Sequence, residues 1–133
     1  MSVAETGSSK GMTWGGRIMG GLPALLLLVD GVMKLIKPSF VVENTVAMGY
    51  PESCIVPLGI VLTASVILYL VPRTAVLGAI LLTGYLGGAV DAHVHASHPA
   101  FNVGFPVFFG TLLWGGLFLR DARIRALIPL RSE

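Results

Sequence analysis

The chain has 133 residues, of which 54% are hydrophobic and only 12% charged, and its formal net charge is +2. Soluble domains carry charge on about a quarter of their residues, so this composition, with a mean hydropathy of +0.82, excludes an ordinary soluble fold and reads as an integral membrane protein. The charge is too small and too dispersed for a nucleic-acid surface, and a single cysteine, Cys54, excludes an internal disulfide or a dithiol redox pair within one chain.

Residues 1–13 are rich in Gly, Ser and Thr, carry no apolar period and are expected to form a flexible tail ahead of one domain over residues 14–133. Polar residues precede the first apolar run and no small-residue cleavage pattern follows it, so that run is expected to be retained rather than removed as a signal peptide. Four apolar runs then cover residues 14–36, 53–71, 74–94 and 101–119. Each is close to the ~20 residues needed to cross a hydrocarbon core. Between the first two, residues 39–48 are bounded by Pro38 and by Gly49-Tyr50-Pro51, too short to span and apolar enough for a helix lying at the interface. Val71-Pro72-Arg73-Thr74 and Ala96-Ser97-His98-Pro99 are short turns, which make neighbouring spans antiparallel. The expected fold class is therefore all-α, an integral membrane four-helix bundle with a short interfacial helix between spans 1 and 2. Pro23, Pro57 and Pro106 fall inside the first, second and fourth runs, where each should remove a backbone hydrogen bond and kink its helix.

An even number of spans puts both termini on one side, together with Lys10, Arg17, Arg73, Arg120, Arg123, Arg125 and Arg131; Lys34 and Lys37 lie on the other. By the positive-inside rule both termini are expected in the cytoplasm, in a multi-pass protein of the cell inner membrane. The terminal run Arg120-Asp121-Ala122-Arg123-Ile124-Arg125 then reads as an anchor at lipid headgroups.

Ionisable groups inside the runs are the candidates for a site, because they are costly in lipid. Asp30 and Lys34 stand four apart on the first run, and Asp91, His93 and His95 close the third. From helical rise, Asp30 lies ~18 Å across from Ile18, and Lys34 and Asp91 each lie ~24 Å across their spans, so the two groups are expected at one depth in the non-cytoplasmic half. Gly84, Gly88, Asp91 and His95 share one stripe, and glycines on it would allow a neighbouring helix to approach, so Asp91 and His95 are expected to face the interior and His93 to point elsewhere.

These residues carry two readings. Asp30 and Lys34 form a structural ion pair, the leading reading, or they orient charge in a site. Asp91 suits general acid or base work, with His93 or His95 as partner, or His93 merely ties helix ends together. Tyr85, near midplane, needs a partner or a ligand and joins Asp30 and Lys34 as a substrate-binding candidate. Asp91, His95 and His98 at i, i+4 and i+7 match a three-ligand metal face; this is the weaker reading, because Pro99 pushes His98 out of the helix. Thr63, Ser65, Thr83 and Thr111 are expected to bond back to their own helices, and Trp14, Trp114 and Tyr69 to be ordinary packing or interface residues.

Several stretches together resemble the DoxX-like family of small bacterial membrane proteins. They are Lys34 with Pro38, the turn Gly49-Tyr50-Pro51, the run Pro72-Arg73-Thr74-Ala75-Val76-Leu77-Gly78-Ala79, Gly84-Tyr85-Leu86-Gly87-Gly88-Ala89 leading to His93, and Leu113-Trp114-Gly115-Gly116-Leu117 before Leu119-Arg120-Asp121. The resemblance covers residues 15–130 and implies a four-helix membrane bundle. It implies little about activity, since the name derives from a relative associated with a thiosulfate:quinone oxidoreductase. His93 matches the family pattern, whereas Asp91 and His95 depart from it. Two functions follow as expectations. One is a membrane enzyme doing acid/base chemistry (isomerisation, cyclisation or epoxide opening) on a small apolar molecule. The other is a non-catalytic partner of a quinone-linked membrane oxidoreductase. The expected partners are the lipid bilayer, a small apolar molecule or quinone, and a second copy of the chain. No cofactor is expected.

Overall fold

The structure, a computed structural model, describes residues 9–131. Most of the expected tail lies outside these residues, but its last part is ordered differently: the first helix starts at Lys10, four residues before the expected boundary. The reason is local. The Ser9 hydroxyl accepts from the Met12 amide at 3.1 Å and so caps the first turn.

The described residues form six helices and no strands: α1 Lys10–Ile36, α2 Ser39–Ala47, α3 Ile55–Leu70, α4 Ala75–His95, α5 Ala100–Arg120 and α6 Ala122–Leu127. Single 3-10 turns at Glu52–Cys54 and Pro72–Thr74 lead into α3 and α4. With those turns included, α1, α3, α4 and α5 are each long and apolar enough to cross a membrane. α1 packs on α3 and α5, and α4 on α3 and α5, so the four close a ring in the order α1–α3–α4–α5. One end of that ring carries Lys10, Arg73 and Arg120, the arginine end; the other carries Lys37, His93 and His98, the histidine end.

Packing rests on small residues more than on bulk. Leu22, Leu25, Leu26 and Val29 of α1 point outward, each at least half exposed, while Gly16, Gly20, Ala24 and Gly31 of the same helix are buried. This inverts the pattern of a soluble helix and suits a bundle surrounded by lipid, where close backbone approach and van der Waals fit hold helices together. At the arginine end α1 meets α5 glycine to glycine: a Cβ on Gly16 would run into the Gly116 carbonyl, and one on Gly116 into the backbone of Gly16 and Gly20. Leu62, Val66 and Tyr69 of α3, Leu82 of α4 and Leu113 of α5 fill the centre.

Two turns depend on left-handed non-glycine residues. Lys37, at φ 59°, closes α1 by donating its amide to the Met33 carbonyl, and its ammonium reaches Glu52 at 3.1 Å, tying the end of α1 to the start of α3. Ser97, at φ 58°, follows α4. Pro23 and Pro106 lie inside α1 and α5, each removing one helical bond as expected. Pro57 does not, because it occupies the first turn of α3, where the missing N–H has no carbonyl to lose.

Candidate functional site

Two groups of part-buried polar residues lie toward the histidine end, on either side of the inward face of α4. That face is made by Ala75, Gly78, Ala79, Leu82 and Leu86, with Gly78 pressed against the backbone of Tyr69. Tyr85 and His93, both half-buried, lie near it.

The first group joins α1 and α4. The Lys34 ammonium donates to the Asp30 carboxylate at 2.7 Å, with the Lys34 side chain 16% exposed and that of Asp30 47% exposed. The Tyr85 hydroxyl lies close enough to interact with Lys34 across the bundle. One turn along α1, the Thr63 hydroxyl of α3 fills the notch at Gly31; expected to bond back to its own helix, its oxygen is instead buried without a hydrogen-bond partner among the described residues. Three expected substrate-binding residues, Asp30, Lys34 and Tyr85, are thus brought together.

The second group closes α4. Beyond Ala96, the left-handed Ser97 turns the chain back so that the His98 amide donates to the His93 carbonyl at 3.0 Å. The two imidazoles then face each other, Nδ1 to Nδ1 at 2.7 Å. His93 also lines a small cleft of about 220 Å³ with Phe101, Asn102, Phe105 and Pro106 of α5. Pro106 also borders a larger groove of about 400 Å³ between α4 and α5, floored by Leu86, Gly87 and Gly110 and almost entirely apolar. Its far end is closed by Trp114, whose indole N–H donates to the Thr83 hydroxyl at 2.7 Å, while Thr83 donates to the Ala79 carbonyl.

The expected interior stripe is corrected. Asp91 and His95 are exposed, and a Cβ at Gly84 or Gly88 would meet no neighbouring atom. The stripe Gly84–Gly88–Asp91–His95 faces away from the bundle, because the close approach to α3 is made through Gly78 on the opposite side of α4. His93, expected to point elsewhere, is the histidine turned toward a neighbouring span. The three metal candidates do not assemble either: His98 pairs with His93 rather than with Asp91 and His95, and the described residues contain no group of three potential ligands.

At the arginine end the structure adds a polar contact that sequence reasoning assigned to packing and anchoring. Tyr69 is 1% exposed, its hydroxyl donates to the Leu113 carbonyl at 2.6 Å, and the Arg120 guanidinium sits over its ring at 5.6 Å. Outside the spans, Asp121 caps α6 by accepting from the Arg123 amide at 2.9 Å. Its carboxylate hydrogen-bonds the Arg123 guanidinium and raises the pKa of that side chain above its ordinary value. Ser65 and Thr111, with Thr83, bond back to their own helices as expected. Asn102 was a missed signal that the sequence did contain, since it is the one carboxamide inside a span.

The model of the DoxX-like family matches residues 18–116, about three quarters of the chain. The chain belongs to the DoxX-like family. With four helices able to span, this DoxX-like protein is a multi-pass membrane protein. The family match covers Asp30, Lys34, Tyr85, His93, His98 and Asn102, so both polar groups lie within the DoxX-like region. Neither a comparison with curated proteins nor one with solved structures finds a match.

Proposed function

We infer that this DoxX-like protein takes up a small apolar molecule from the surrounding lipid into the groove between α4 and α5 and performs acid/base chemistry on its polar end at His93. One observation carries the reading: an apolar, lipid-side groove meets, at Pro106, a cleft in which His93 is the one titratable side chain among the described residues. The orientation that the positive-inside rule favours puts this end of the groove on the non-cytoplasmic side, where Asn102 offers a carboxamide to a polar head. Asp30, Lys34 and Tyr85 hold α1 and α4 together. Asp91 and His95, on the outward stripe, take no part in the reaction.

The test is photolabelling in phosphatidylcholine vesicles with a diazirine-bearing medium-chain ketone. Adducts should concentrate on Val90, Val107 and Gly110, and Gly110→Leu, which fills the groove floor, should lower them several-fold. Adducts spread evenly over every lipid-facing helix would remove the reading.

A second reading has its own observation. The outward stripe of α4 combines two glycines at i and i+4 with an exposed acid and an exposed imidazole within one span. A second copy of the chain packed on the same stripe would bring Asp91 of one protomer to His95 of the other, relieving a carboxylate that lipid disfavours. Disulfide cross-linking of Gly84→Cys and Gly88→Cys in a Cys54→Ser background tests it. Cross-linking no greater than at the outward-facing Leu77 on the same helix would remove it.

A further inference from the structure

We propose that His93 and His98 form a proton relay between the groove and the water at the histidine end, and that the molecule it serves is an apolar compound with an enolisable carbonyl head. This rests on the groove reading above and adds the substrate class and the role of His98.

Two ring nitrogens 2.7 Å apart cannot both be donors and cannot both be acceptors, so the His93–His98 contact holds one proton. The neutral rings are therefore opposite tautomers. The ring that donates at Nδ1 has a bare Nε2, and its partner carries its proton at Nε2. The contact is enforced by the fold rather than by a chance meeting of two exposed side chains: His98 is held over the last turn of α4 by its own amide bond to His93 and by the left-handed Ser97. The rings are tilted at 45° with centroids 5.0 Å apart, which leaves both Nε2 atoms on the outer edges of the pair. His93 borders the cleft; His98 is not among the cleft-lining residues and is itself half-buried.

The chemistry follows from that arrangement. When His93 donates at Nδ1, its bare Nε2 accepts a proton from the carbon beside the substrate carbonyl, and the C–H electron pair passes into an enolate. The Nδ1 proton of His93 moves to Nδ1 of His98, and His98 releases its Nε2 proton to water. Both rings end neutral with their tautomers exchanged. His93 now carries a proton at Nε2, ready to return to the enolate at either end, and the reverse passage restores the pair. Nothing is oxidised or reduced. The carboxamide of Asn102, which lines the same cleft, is the group placed to donate to the enolate oxygen. An apolar tail suits the groove floor of Leu86, Gly87 and Gly110, and an enolisable head is a class that a neutral imidazole can serve as general base.

The decisive experiment uses the full chain in phosphatidylcholine vesicles with 15N-labelled histidine. His93 and His98 should appear as opposite tautomers, with a coupling between their Nδ1 atoms transmitted through the shared proton. The same vesicles in D2O should exchange the acidic hydrogens of a long-chain β-diketone about 10²-fold faster than empty vesicles. His98→Phe and His98→Gln should each lose most of that acceleration while the photolabelling of the groove stays as in the wild type. Both rings protonated at Nε2 with no coupling, or His98 variants that exchange the probe as fast as the wild type, would overturn the relay. Normal groove labelling with no acceleration of exchange would overturn the substrate class. Loss of labelling in the wild type would instead remove the groove reading itself.

Discussion

Breaking the Asp30–Lys34 pair should be costly from one side and cheap from the other. The Lys34 side chain is 16% exposed and, among the described residues, its ammonium interacts with Asp30 and Tyr85, whereas the Asp30 side chain is 47% exposed. Asp30→Asn leaves a largely desolvated cation without its counter-charge. A fully buried pair broken this way loses about 3–5 kcal/mol, and partial exposure of the pair reduces the expectation to about 2 kcal/mol. Lys34→Met removes the cation and leaves a carboxylate that water at the histidine end can still reach, so its cost should stay near that of an exposed pair, about 1 kcal/mol or less. The double variant should lose less than the sum of the two single losses, since neither charge then stands alone, giving a coupling of about 1 kcal/mol in a double-mutant cycle. Reversible unfolding in lipid bicelles, followed by steric trapping, reads all four chains on one scale. Equal losses for the two single variants, or a double variant whose loss is the plain sum of the two, would refute the reasoning from exposure.

Other perturbations follow from single contacts. Gly116→Leu should cost about 3 kcal/mol or more, because the new side chain meets the α1 backbone at Gly16 and Gly20, while Gly84→Leu should leave bundle stability unchanged; unfolding of both in bicelles checks the contrast. Tyr69→Phe removes the hydrogen bond to the Leu113 carbonyl and should cost about 1 kcal/mol by the same measurement. Asp121→Ala removes the cap of α6 and should cost about 1 kcal/mol, confined to residues 122–127 and visible as faster amide exchange there with α5 unaffected.

Much of the architecture is legible in the residues themselves. Run lengths near the thickness of a bilayer, with Pro and Gly between them, locate four spans and a short intervening helix to within a few residues, because in lipid each span must satisfy its own backbone hydrogen bonds. The Asp30–Lys34 pair is equally local, since i and i+4 on one helix leave it little choice. The faces turned inward are another matter. In a soluble helix the apolar side marks the core, but over residues 75–82 α4 is apolar all round, so hydropathy cannot distinguish Leu82, which is buried, from Ile80, which is exposed. Glycine is no better a guide, for Gly78 makes a backbone contact and Gly84 and Gly88 make none. The rotation of α4 is settled by van der Waals fit against α3 and α5, a property of three helices at once, and that rotation carries Asp91 and His95 outward and His93 toward α5. The meeting of His93 with His98 depends in turn on one left-handed residue, Ser97, whose conformation only the closure of the α4–α5 turn decides.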